Sequence, residues 1–157
     1  MAGPEPRDEI EALYADYAAA LDDDQLERWP GFFTADCLYK IVPRENWERG
    51  LPIALMLCES RAMLEDRVHA VRGTAVFAPR TFRHIIGQFR VKTVEPEKYA
   101  VAANYVVFQT MVDQLTHILN AGKYMDTVVR TPEGLRFKEK ICVFDSVIVP
   151  NSLIYPV

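Results

Sequence analysis

TFRHIIGQFRVKTVEPEKYAVAANYVVFQTMVD, residues 81–113, is where the chain changes character. Two runs rich in Val, Ile, Phe, Tyr and Thr flank Glu95, Pro96, Glu97 and Lys98, a composition that marks two long strands joined by a turn. The pattern continues in THILNAGKYMDTVVR, 116–130, and LRFKEKICVFDSVIV, 135–149, with Thr131, Pro132, Glu133 and Gly134 as the next separator. Four long strands in succession predict a largely antiparallel sheet. Gly87 and Gly122 lie inside two of them, where a bulge or bend is expected. In the last run Lys138 and Lys140 alternate with Phe137, Glu139 and Ile141, which predicts a solvated flank near its start.

Upstream the period changes from two to three and four. Ile10, Leu13, Tyr14, Tyr17, Ala18 and Leu21 form the apolar stripe of an amphipathic helix over 8–21. Asp22, Asp23 and Asp24 offer N-caps for a short second helix, DQLERW, which Pro30 and Gly31 close; the acidic run lacks the ligand spacing of a calcium loop. Residues 37–42 read as a strand ended by Pro43, and a loop follows. LPIALMLC, 51–58, fits a short strand or the start of a helix. SRAMLEDRVHAVRG fits a helix capped by Ser60 and stopped by Gly73. Helices first and strands last give an α+β fold, a strongly curved sheet wrapped around the first helix.

With 157 residues, half of them apolar, residues 1–157 are expected to form one domain with a full core. The net charge of -4 and the scattered cations provide no basic stripe for nucleic acid. The acidic, proline-containing start and the absence of an apolar run near ~20 residues predict a cytoplasmic chain with no membrane span. Cys37, Cys58 and Cys142 are dispersed thiols with no CxxC, and His69, His84 and His117 are equally scattered. Local metal-ligand spacing is absent.

Between helix and sheet stands the most distinctive passage, RWPGFFTADCLYKIVPREN, 28–46. Its order of W-P-x-F-F-x-x-D-C-x-Y and then P-R-E-N resembles the small, or beta, subunit of the aromatic-ring-hydroxylating oxygenases of the Rieske non-haem iron family. LEDRVHAVRG, FRHIIG, and G-K-Y-x-D followed by CVFDS extend the resemblance over nearly the whole chain. The short N-terminus is most similar to small subunits for benzoate-like acids such as salicylate or terephthalate. This resemblance implies a cone-shaped fold of the nuclear transport factor 2 (NTF2-like) or cystatin-like type. It also implies a large (alpha) subunit as partner, carrying a Rieske [2Fe-2S] cluster and a mononuclear iron, commonly in a three-plus-three assembly; a homotrimer of this chain alone is compatible with it.

The residues themselves argue against chemistry in this chain. A Rieske cluster takes two Cys and two His, and no Cys and His stand in a close pair here. A mononuclear iron could draw on His84 and His117 with Asp126 or Asp145, but a strand His is more commonly a core or interface residue. No cofactor or metal is therefore expected in this chain. An assembly-supporting role is expected, with Arg44, Trp47 and Leu51 after the P-R-E-N turn and Leu153, Ile154 and Tyr155 in the tail as interface candidates. The competing reading is a free-standing isomerase or dehydratase, in which Asp36 or His84 acts as base against Tyr17 inside the cone. Space for a substrate among those three residues distinguishes the two. A ligand-binding or homo-oligomeric module without catalysis is a third reading.

Overall fold

The stripe on the first segment becomes the buried face of α1 (Pro6–Asp22), where Ile10, Leu13, Tyr14, Tyr17, Ala20 and Leu21 are covered. Pro6 opens the helix, where its missing N–H costs nothing. The computed structural model describes residues 5–74, 77–148 and 153–157. After α1 the chain makes a 3-10 helix (Leu26–Phe32), then β1 (Phe33–Pro43), α2 (Arg44–Glu48), β2 (Met56–Cys58) and α3 (Arg61–Gly73). Four long strands follow: β3 (Arg80–Glu95), β4 (Lys98–Met111), β5 (His117–Thr131) and β6 (Gly134–Phe144).

These form one six-stranded sheet in the order β2-β1-β6-β5-β4-β3. The β3 to β6 run is antiparallel throughout, while β1 lies parallel to β6. The sheet curls without closing, and α1 packs across its concave side against β3 and β6. Trp29 and Phe33 are fully buried and meet Tyr39 edge-on, an aromatic wedge that seats the 3-10 helix against the sheet. In α3, the Ser60 hydroxyl accepts the Met63 N–H at 3.3 Å, and Leu64, Val68 and Val71 face inward. The cap at Ser60 is as the sequence predicted, whereas Gly73 is still helical and Thr74 ends the helix, its N–H and hydroxyl both donating to the Ala70 oxygen.

Several boundaries differ from expectation, each for a local reason. Pro30 and Gly31 do not stop the second helix; the 3-10 helix runs through Pro30 to Phe32. Its N-cap is Gln25 without a side-chain bond, because the acidic run is engaged elsewhere: Asp22 binds His84 and Asp24 binds Arg72. The first strand begins at Phe33, and P-R-E-N forms α2 rather than a loop, since Pro43 supplies the extended residue that precedes it. Only residues 56–58 of LPIALMLC pair as a strand. The last strand ends at Phe144 rather than at 149, and Val149 lies outside the described residues.

The two strand glycines do different work. At Gly87 the β3–β4 register slips between Gly87 and Arg90, and Gln88 takes a φ of 55°, so the expected bulge is there. Gly122 makes no bulge. It lets β6 pass so close that a Cβ would stand 1.9 Å from the Val143 carbonyl oxygen.

Candidate functional site inside the cone and at its margin

The solvated flank predicted for β6 holds at Lys138 but not at Lys140, and one extra residue is the reason. Across β5, Val128 faces Phe137 but Thr127 faces Glu139, so Lys138 is a bulge and the inward parity switches. Leu135 and Phe137 point into the cone before it; Lys140, Cys142 and Phe144 do so after it. Lys140 is thereby 0% exposed. A one-residue slip moves every later side chain to the other face.

A partner is waiting on β5. The Lys140 ammonium donates to Asp126 Oδ2 at 3.0 Å, the Tyr14 hydroxyl donates to the same oxygen, and the Ile141 N–H donates to Oδ1 at 3.0 Å. Around Nζ stand the rings of Tyr124 (3.4 Å to the centroid), Tyr14 (4.5 Å), Phe137 (4.5 Å) and Tyr17 (4.6 Å). Burial pushes the Asp126 carboxyl above the usual aspartate range, and the Lys140 ammonium and its hydrogen-bond donors oppose that rise. Burial, reinforced by the Asp126 charge, holds the Tyr14 phenol well above its ordinary range, so it remains a donor. Every polar atom of the Asp126 carboxylate is committed to this chain. The sequence named Asp126 only as a possible iron ligand and missed Tyr14 and Lys140; a pairing register, not a motif, reveals them.

The three residues proposed as catalytic do not converge. Tyr17 is in the core with its hydroxyl donating to the Val157 backbone oxygen at 2.7 Å. Asp36 lies outside on β1, paired with Lys138. His84 sits on edge strand β3, its Nδ1 2.6 Å from Asp22 and its Nε2 buried without a partner among the described residues. An open groove of about 450 Å³ between α1 and β3 includes His84 and Asp22 in its lining but neither Tyr17 nor Asp36. The interior around Tyr17 is filled by Phe32, Phe33, Phe137 and Lys140, which removes the room the isomerase reading required.

Metal chemistry finds no better seat. His117 lies near Gln109, Asp145 is paired with Arg44 at 2.9 Å, and among the described residues no group of three His, Cys, Asp or Glu could hold an ion. The two-Cys, two-His set of a Rieske cluster therefore does not assemble from this chain's described residues. All three thiols are buried and unpaired; burial pushes Cys37 to about 11 and Cys142 to about 12, and also raises Cys58. The folded protein is accordingly expected to leave Ellman's reagent unreacted at pH 8 and to release about three equivalents of thiolate only after denaturation. Fast labelling of one thiol in the native state would contradict this burial.

The interface candidates divide. Trp47 is 40% exposed and Leu51 38%, and Arg44 is half exposed beside Asp145. Ile53, Leu55 and Leu57 extend that apolar margin, unnoticed in the sequence because LPIALMLC was read as an element rather than as a surface. Leu153 and Ile154 are partly buried against the core. Tyr155 is turned inward: its ring meets Phe77 and Phe82, and its hydroxyl donates to Asp24 at 3.2 Å. A groove of about 420 Å³ on the outer sheet face joins Trp47 to Arg90, Lys92, Ala100, Met125 and Ile141. No helix among the described residues is long and apolar enough to cross a membrane.

Comparison with known proteins places this geometry. A family model described as the ring hydroxylating beta subunit matches residues 17–151. The small subunit of anthranilate 1,2-dioxygenase from Burkholderia cepacia is 41% identical over 149 residues, covering 95% of this chain and 92% of that one. The crystal structure of a beta subunit assigned to an aromatic-ring-hydroxylating dioxygenase of Novosphingobium aromaticivorans matches with a TM-score of 0.85 at 41% identity, covering 94% and 93% of the two chains. An NTF2-like protein with a cystatin-like fold from the same organism matches at a TM-score of 0.65 and 20% identity, over 92% of this chain and 84% of that one; this likeness concerns the fold alone.

Proposed function

We propose that this chain, which belongs to the ring-hydroxylating beta subunit family and is the small subunit of an aromatic-ring-hydroxylating dioxygenase, holds its oxygenase together without carrying the chemistry. Membership in a multi-subunit oxygenase brings a large-subunit partner with it. The finer reading is that this partner carries the Rieske cluster and the mononuclear iron, that the two chains assemble three plus three in the cytoplasm, and that the substrate is a benzoate-like acid. The observation that carries the non-catalytic role is the filled cone, whose acid is taken up by the Lys140 ammonium and the Tyr14 phenol and whose Tyr17 phenol is spent on the Val157 backbone oxygen.

The exposed margin at Arg44, Trp47 and Leu51 supports contact with another subunit there. Trp47 offers the aromatic anchor common at contact hot spots. Tyr155 does not belong to that surface, because its replacement would damage the chain's own core.

Co-expression with the larger chain encoded beside it, recognised by paired C-x-H and C-x-x-H motifs, tests the reading. Capture of one chain is expected to bring the other, with iron on the larger. Trp47→Ala is expected to weaken capture about tenfold while the melting temperature of the isolated chain holds. No co-capture of the wild-type chain would overturn the assembly role; unchanged capture with Trp47→Ala would remove this margin from the interface.

A further inference from the structure

The charge at the centre of the cone has no part in subunit assembly as proposed above, yet it is built with more care than a core needs. Burying an ammonium is costly, and an ion pair alone recovers that cost only with good geometry and further partners. Here the further partners are ring faces. An ammonium carries three donors, and Asp126 is the acceptor that Lys140 reaches among the described residues, which leaves two donors to the π faces. We propose that the interior of the cone is a receptor for a primary alkylammonium group and that Lys140 is its resident ligand.

Two features separate a receptor from a lysine that happens to be buried. First, the rings are held by neighbours other than Lys140. Tyr124 stacks on Tyr105 with centroids 4.2 Å apart and planes 10° from parallel. Tyr14 meets Phe89 edge-on at 5.1 Å, and Tyr17 is braced by Phe32 and Phe33. Second, the carboxylate is anchored independently, through Ile141 N–H on one oxygen and the Tyr14 hydroxyl on the other. Removing the lysine side chain therefore leaves a shaped, ring-lined site around a carboxyl group, and a cation that takes the place of Nζ would hold that carboxyl ionised as Lys140 does, which favours it over a neutral group of equal size. Asp126 lies directly opposite Lys140 in the register set by Thr127 with Glu139 and Tyr124 with Cys142, so the strand that presents the ligand also faces its receptor.

Lys140→Ala deletes the atoms of n-propylammonium, and that cation is the probe. The variant is expected to melt roughly 10 °C below the wild type. n-Propylammonium should raise its melting temperature saturably, by about 5 °C at a hundredfold excess over a dissociation constant on the order of 1 mM. The same concentration of 1-propanol should not, and wild type should respond to neither. Asp126→Asn added to Lys140→Ala should abolish the response. An equal response to propanol would mean a plain apolar cavity, and no response to either compound would mean that the site collapses; both overturn the receptor. If Lys140→Ala does not fold, NMR of the wild-type chain decides. One lysine should show ε-methylene protons shifted upfield by ring currents and an ammonium protected from exchange. Their absence overturns the proposal.

Discussion

Gly122→Ala is expected to lower the free energy of unfolding by about 3 kcal/mol or more, among the largest effects of any single methyl group added to this chain. The added carbon would stand 1.9 Å from the Val143 carbonyl oxygen and 2.8 Å from Phe144 Cα, and both are backbone. Neither can swing aside. At this point β6 is paired on its other edge with β1, through Val42 opposite Val143 and Pro43 opposite Phe144, and Asp145 N–H closes onto Ala121 O at 2.9 Å. Relief therefore requires prising β5 from β6 at this close approach. Urea denaturation of Gly122→Ala beside Gly87→Ala makes the measurement, because nothing lies within 4 Å of a Cβ at Gly87. A loss at Gly122 no greater than at Gly87 would show that the strands are not as close as described.

Asp126→Ala is expected to cost about 3–5 kcal/mol, the range for breaking a buried ion pair by removing one partner. The substitution strands the Lys140 ammonium in a site with no access to water and leaves the Ile141 N–H and the Tyr14 hydroxyl without an acceptor. Those three donors come from β6 and α1, so the damage reaches both layers of the fold. For a chain of this length the loss corresponds to a fall in melting temperature of roughly 10 °C. Asp36→Ala provides the contrast, since that carboxylate meets Lys138 on the outside of the sheet, where solvent screens the pair. Its melting temperature should match the wild type. Equal melting of the two variants would remove Asp126 from the centre of the core.

Both substitutions act on features that local pattern does not display. The helices α1 and α3, the Ser60 cap and the four long strands were legible because each is encoded within a few residues: a stripe, a cap and a β-rich run between turns. Tyr17 could be placed on a buried face for the same reason. The acidic run at 22–24 was harder. An aspartate before a helix is a good cap, but Asp22 and Asp24 find stronger partners in His84 and Arg72, which are distant in sequence. The tail misled similarly, since an apolar residue in a loop-like segment reads as surface until a core cavity is seen to receive Tyr155.

What the sequence determined by itself is the class of fold and the family: helices before a curved sheet, and an ordered set of motifs whose meaning is confirmed by relatives of known kind. What only the tertiary structure decided is that the cone is full, and by what. The cause is a single bulged residue, Lys138, which reverses the parity of β6 and carries Lys140 from an apparent solvated flank to the centre of the core opposite Asp126. Alternation along a strand is visible in sequence, whereas its phase depends on pairing with a neighbour, and that phase assigned the buried charge.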